Sequence, residues 1–313
     1  MEFSLVIVLF LLGLVLIVKG GDFFVDAATW IAEVSGVPKF IVGATVVSIA
    51  TTLPELLVSL VAAVAGKVDM AVGNAVGSVT ANTGLILAIS IFAMPVAISR
   101  KQFGFKGALL LLSTLALLIF SVSGRLTPLG SVVLLALLIC FAVENIQAAR
   151  QESDTVRVVV KGKKDVFLHV AGFVFGAAGI VVGAQLLVDN GSRLAEMLGV
   201  PEAIIAVTMV AIGTSLPELV TTVTAIVKKQ SSLSIGNLLG ANIIDITLIL
   251  PLCSLVSGQA LPIAQQSISL DMPVCLLEIC IAVIPTLIFG KFRRWQAVAM
   301  ITVYAAYLLL LFV

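Results

Sequence analysis

Two glutamates stand near the middle of long apolar runs, each behind a proline and two hydroxyl residues: Thr51-Thr52-Leu53-Pro54-Glu55 and Thr214-Ser215-Leu216-Pro217-Glu218. An ionised side chain at the centre of a bilayer helix costs at least about 2.5–3.5 kcal/mol, so something must compensate it. Proline in a helix interior lacks an N–H and clashes with the carbonyl four residues earlier, which frees the carbonyls near Ala50 and Gly213. Irregular backbone survives at membrane depth only where it is buried in protein or lines a wet cavity. Freed carbonyls, threonine hydroxyls and a carboxylate together make an all-oxygen site, which suits hard cations, sodium and calcium above all.

The apolar segment after each glutamate supplies matching polar groups. Gly73-Asn74-Ala75-Val76-Gly77-Ser78 leads to Asn82, and Gly236-Asn237-Leu238-Leu239-Gly240-Ala241 leads to Asp245. Glycines at this spacing let helices approach closely and could serve packing alone. Their placement argues for more, because all of these residues repeat at one offset. Laid over each other without gaps at 163 residues, 25–87 and 188–250 share about 24 of 63 positions. The matched pairs include Asp26/Asp189, Glu33/Glu196, Pro38/Pro201, Thr51/Thr214, Glu55/Glu218, Asn74/Asn237 and Gly77/Gly240.

The elements that carry these residues must be membrane helices. The 313 residues are 60% hydrophobic and 11% charged, with a mean hydropathy of +1.23, against roughly 45–50% apolar in soluble domains. A spanning helix needs about 20 apolar residues. Ten such segments are expected, near 3–33, 37–66, 69–95, 105–123, 127–149, 165–198, 201–227, 231–257, 267–290 and 294–313. The expected fold is therefore an all-α integral membrane protein of ten transmembrane helices in two repeats of five. The first repeat is 1–150, a polar cytoplasmic linker 151–164, and the second repeat 165–313. Five is odd, so the second copy enters from the opposite face. Such inverted-topology repeats are typical of secondary transporters, whose site lies near the midplane between the copies. Basic residues, including Lys39, Lys106 and Lys228, favour one set of loops over the other by fourteen to three, which places both termini outside the cytoplasm.

With these motifs in hand, the chain resembles the cation/calcium antiporter superfamily, and within it the prokaryotic-type sodium/calcium exchanger branch. That family's two repeats read Gly-Thr-Ser-Leu-Pro-Glu followed by Gly-Asn-x-x-Gly-Ser-Asn-x-x-(Asn/Asp). The resemblance implies that Glu55 and Glu218 bind calcium and also sodium, with Thr51 and Thr214 assisting. It further implies sodium ligation by Thr52, Ser215, Ser78 and the carbonyls of Ser48 and Ala211. Asn82 and Asp245 would complete the central cluster, and Asn74 and Asn237 would hold the broken helices. The chain departs from the pattern at Ala50-Thr51-Thr52, at Ser78-Val79, and at Ala241, where a hydroxyl of one sodium site is missing.

The implied function is secondary active antiport of Na+ against Ca2+ by alternating access, in a cell (plasma or inner) membrane. Two or three carboxylates cannot cross a low-dielectric barrier empty without a large desolvation cost, whereas one divalent or several monovalent ions neutralise them, which favours exchange over uniport. The nearest alternative keeps the fold and couples it to H+ or K+; a passive cation channel is a weaker one. No enzyme activity and no cofactor are expected, since no nucleotide loop, zinc spacing or Ser-His pairing occurs. The expected partners are the two ions and the lipid bilayer, without nucleic acid, and the working unit is expected to be a monomer. Cys140, Cys253, Cys275 and Cys280 read as small hydrophobes, and the sole histidine, His169, as a core or interfacial residue. The run 3–18 lacks a basic leader and a cleavage site and reads as a retained first helix. Lys19 is expected to snorkel or to pair with Asp22. Asp26, Asp189, Asp271 and Glu278 are expected to be solvated or capping carboxylates near helix ends.

Overall fold

A computed structural model describes residues 3–93, 100–153, 162–198, 215–258 and 260–311. In lipid every backbone polar group must be satisfied within its own segment, and the chain answers with helices. They are α1 (Phe3–Ser35), α2 (Lys39–Val64), α3 (Val68–Ala93), α4 (Arg100–Ser121), α5 (Pro128–Ser153), α6 (Gly162–Met197), α7 (Leu216–Val227), α8 (Ser231–Ser257), α9 (Ser267–Phe289) and α10 (Arg294–Leu311). Among the described residues, nine are long and apolar enough to cross a bilayer, and α7 is shorter. Thr214, Ala211, Gly213 and Pro201 lie outside the described residues. Apart from the start of α7, expected at 201 and outside the described residues, helix ends fall within about five residues of the sequence expectation. Both α8 and α9 stop at a left-handed glycine, Gly258 (φ 68°) and Gly290 (φ 69°), a conformation that side chains with a Cβ resist.

Four single turns are π-helical: Gly43–Val47 in α2, Asn82–Leu87 in α3, Asp245–Ile249 in α8 and Ser267–Asp271 in α9. Such bulges widen a helix and displace its carbonyls, and they concentrate at functional sites. Helices α3 and α8 are enclosed on nearly all sides, while the long pair α1 and α6 exposes most of its surface. The latter two pack through Gly13, Gly20, Gly176 and Gly183, where backbones meet directly. Outside the helices, β1 (Arg125–Leu126) pairs antiparallel with β2 (Leu261–Pro262), tying the α4–α5 loop to the α8–α9 loop.

Several charged residues sit elsewhere than expected. Lys106, counted among loop cations, is fully buried in α4 and paired with Glu144 of α5. Asp22 does not pair with Lys19, which is exposed; its partner is Lys228, at 3.4 Å. Lys228 also binds Asp26 at 2.7 Å, so this carboxylate of α1 is latched to the end of α7. Glu278 is not near a helix end: it lies midway along α9 and is wholly buried. Asp271 is buried as well. His169 does take an interfacial role, stacked on Trp30 with ring centroids 4.3 Å apart. The four cysteines are free thiols.

Candidate cation site

In α2, the residues at i, i+3 and i+7 from Ser48 share one face. Ser48, Thr51 and Glu55 are buried there, with Thr52 beside them, while Leu53 and Leu57 point outward. The pattern arises because only this stripe is polar, and lipid accepts the rest. Contrary to the expected break, the α-helix continues from Ser48 through Pro54 to Val64. Its irregular turn falls earlier, at Gly43–Val47. Proline is tolerated within membrane helices where neighbouring segments satisfy the freed groups. In the second copy Pro217 occupies the first turn of α7, where a missing N–H has no helical partner to lose. Glu218 follows it, buried with Ser215, Thr221 and Thr222.

Helices α3 and α8 cross over these two. The amide of Asn74 donates to the backbone carbonyl of Glu55 (3.2 Å) and to Ser59 Oγ (2.9 Å), anchoring α2 on α3 below the carboxylate. Its repeat partner Asn237 acts across the copies: its Oδ1 accepts from Thr51 Oγ1 at 3.2 Å. This reach depends on close contact between α8 and α2. A Cβ on Gly236 would stand 2.1 Å from the Phe40 carbonyl, and one on Gly43 2.2 Å from the Leu233 carbonyl. The second glycine of the motif, Gly240, faces Ser48 in the same seam.

Asn82 and Asp245, one offset apart, each open a π-turn. Asn82 Nδ2 donates to Asn242 Oδ1 (3.1 Å), and Asn242 Nδ2 donates to Thr83 Oγ1 (2.9 Å), so one amide bridges α3 and α8. Sequence reasoning did not select Asn242. Its signal was present, since Asn242 follows Ala241 in the second copy where the first has Val79. Ser78, one turn before Asn82, is buried.

What remains is an excess of acceptors. Both oxygens of Glu55, Oε2 of Glu218, Oδ1 of Asp245 and Oδ1 of Asn82 are buried without a hydrogen-bond partner, as are the hydroxyls of Thr52 and Ser215. The three carboxylates lie close enough to repel one another. Among the described residues, the ion pairs all lie elsewhere, so no lysine, arginine or histidine balances this charge. Buried charges persist only when paired or bound to metal. Nor do three carboxylate, thiolate or imidazole groups close on one point among the described residues. An ion held here must therefore draw on hydroxyl, amide and backbone oxygens too, the donor set of a hard cation.

Comparison with known proteins agrees with this chemistry. The family model described as sodium/calcium exchanger protein matches residues 5–147 and 168–313. The chain is 32% identical to the sodium/calcium exchanger MaX1 of Methanosarcina acetivorans, over 96% of this chain and 97% of that protein. It is also 32% identical to the uncharacterized membrane protein MJ0091 of Methanocaldococcus jannaschii, over 94% of each. Among solved structures, it superposes on the sodium-calcium exchanger NCX_Mj soaked with 10 mM Na+ and 10 mM Sr2+. The TM-score is 0.86, with 29% identity over 98% of each chain. The same protein soaked with 2.5 mM Na+ and 0.1 mM Ca2+ gives a TM-score of 0.85 at 30% identity.

Proposed function

This chain belongs to the sodium/calcium exchanger protein family, and from that premise we propose that it exchanges Na+ for Ca2+ through the acceptor cluster around Glu55 and Glu218. The observation that carries the assignment is the pair of repeat-related glutamates, each 1% exposed: both oxygens of Glu55 and Oε2 of Glu218 lack donors, and among the described ion pairs no basic residue balances their charge. Calcium would take Glu55 and Glu218 with Thr51 and Thr214. Sodium ions would take the same carboxylates with Thr52, Ser215, Ser78 and the carbonyls of Ser48 and Ala211, and Asn82 and Asp245 would close the cluster. Asn74 and Asn237 are positioning residues: the first holds the α2 backbone, the second the Thr51 hydroxyl.

The empty cluster holds up to three negative charges, and moving them through a low-dielectric barrier costs several kcal/mol per ion. One calcium or several sodium ions remove that cost, so loaded states interconvert and net leak is suppressed. Alternating access follows if the two inverted copies exchange conformations around the fixed site.

We assign ten crossings, with 1–150 and 165–313 as the inverted halves, 151–164 as a cytoplasmic linker and both termini outside. Support comes from parity. The β1–β2 ladder holds the α4–α5 and α8–α9 loops on one face, so the chain between them crosses an even number of times. Helices α5, α6 and α8 account for three, and α7 belongs to the fourth. The two segments matched by the family model also fall on either side of the linker. The protein resides in the plasma or inner membrane and works as a monomer.

The test is radiolabelled calcium uptake into vesicles containing the purified protein under an imposed sodium gradient, then under proton or potassium gradients alone. Uptake driven by sodium is expected. Uptake indifferent to sodium but driven by another gradient would reassign the coupling ion.

A further inference from the structure

An asparagine amide is almost symmetric in shape, so packing alone does not decide whether its oxygen or its NH2 faces a given side; hydrogen bonds do. For Asn82 that choice bears on ion binding. Its Oδ1 is one of the buried acceptors of the central cluster that lack a donor, whereas a rotated amide would aim N–H donors at a cation. The orientation is set by a relay of two hydrogen bonds through Asn82, Asn242 and Thr83, each 1% exposed. Asn82 Nδ2 donates to Asn242 Oδ1 at 3.1 Å, which leaves Asn82 Oδ1 free. Asn242 Nδ2 in turn donates to Thr83 Oγ1 at 2.9 Å, which keeps the Asn242 oxygen facing Asn82. Thr83 follows Asn82 in the same π-turn, so the relay leaves α3, passes through one side chain of α8 and returns to α3.

We propose that Asn242 is a positioning residue for ion exchange: it fixes the Asn82 amide with its oxygen presented to the transported cation, and Thr83 fixes Asn242. The repeat supplies an internal control. Carried across at the offset of 163, Asn82 corresponds to Asp245, Asn242 to Val79 and Thr83 to Ile246. A carboxylate offers an acceptor oxygen whichever way it turns and needs no such relay. Both relay positions are polar where the cluster residue is an amide, and both are apolar where it is a carboxylate. A bridge that served only to join α3 to α8 has no reason to follow the type of the ligand in this way.

The proposal rests on the sodium/calcium exchange reading, with Asn82 in the ion cluster. Its test is equilibrium binding of radiolabelled calcium and of radiolabelled sodium to the purified full-length protein, alongside thermal unfolding without ions. Asn242→Leu is made both in the wild-type background and together with Asn82→Asp. With Asn82 in place, Asn242→Leu is expected to weaken binding of calcium, sodium or both by about tenfold or more, the scale of one lost contact to a charged group. Together with Asn82→Asp, the same change is expected to leave affinity as it is in Asn82→Asp alone, because either carboxylate oxygen serves, while the loss of thermal stability persists. Thr83→Val removes only the acceptor that holds Asn242 and should repeat the pattern at severalfold size; it decides the matter if Asn242→Leu does not fold. If Asn82→Asp binds neither ion, Asn82→Ala takes its place, since it too leaves no amide to orient. Equal losses of affinity in both backgrounds, or none in either, overturn the proposal, as does an Asn82→Ala variant that binds both ions like wild type. Wild-type protein that binds neither ion would overturn the exchange reading instead.

Discussion

Replacing Glu55 by glutamine should make the ion-free protein more stable while abolishing its response to calcium. Glu55 is 1% exposed and both its oxygens lack donors, whereas Glu218, equally buried, leaves only Oε2 without a partner. An uncompensated charge at this depth costs about 2.5–3.5 kcal/mol. Removing it should raise ion-free stability by about 2–3 kcal/mol for Glu55→Gln, and less for Glu218→Gln. The new amide also brings a donor into a cluster rich in unpartnered acceptors. At roughly 2–4 °C per kcal/mol, the melting midpoint should rise by about 4–12 °C. Calcium at a hundred times its Kd stabilises wild type by about 2.7 kcal/mol. Loss of a carboxylate from a buried charge pairing costs ~3–5 kcal/mol, a hundredfold or more in affinity. The same calcium concentration should therefore leave the variant's midpoint unmoved. Thermal unfolding in detergent, in chelator and in calcium, reads both effects. A Glu55→Gln protein that melts below wild type in chelator, or keeps its calcium shift, would refute the view that this carboxylate awaits an ion.

Three further outcomes follow from contacts described above. Asn74→Ala removes the donor to the Glu55 carbonyl and Ser59, a loss of about 1–3 kcal/mol, and should raise the calcium KM in vesicle uptake while the protein still inserts. Gly236→Ala places a methyl 2.1 Å from the Phe40 carbonyl and should abolish monodisperse protein on size exclusion, whereas Gly104→Ala, whose nearest neighbour is Leu287 Cδ2 at 3.7 Å, should be tolerated. Glu144→Gln removes the carboxylate paired with buried Lys106 and should lower stability by thermal unfolding, by less than the roughly 3–5 kcal/mol of a fully buried pair because Glu144 is partly exposed and Lys106 also lies over the Phe40 ring. The double change Lys106→Met with Glu144→Leu should recover most of it.

Apolar run length made the helices legible, because a bilayer leaves no alternative to a helix for such a run, and the fixed repeat offset made the paired carboxylates legible. The π-turns were not, since Gly43–Val47 and Asn82–Leu87 carry the same apolar and small residues as the α-turns around them, and hydropathy does not distinguish an i→i+5 turn from an i→i+4 one. The sequence also misled about Pro54, where tertiary contacts carry the helix through a residue that alone would break it. Lys106 read as a loop cation because its partner Glu144 is 38 residues away, a separation that no local pattern encodes.

The repeat explains where the site is, but the exceptions to the repeat explain its charge. Asn82 faces Asp245, Val79 faces Asn242, and Leu115 faces Glu278, each time with the more polar residue in the second copy. Exchange of conformations between inverted halves requires similar shapes, which the shared glycines, prolines and π-turns supply. It does not require similar charge. With Glu55 the one buried carboxylate among the described residues of the first half and Glu218, Asp245, Asp271 and Glu278 in the second, the field at the centre is lopsided, and bound cations should be drawn toward α8 and α9. Ion number is then set by one half of the molecule while the motion is shared by both, so substitutions at Asp245 should change how many ions move without changing whether the halves can exchange.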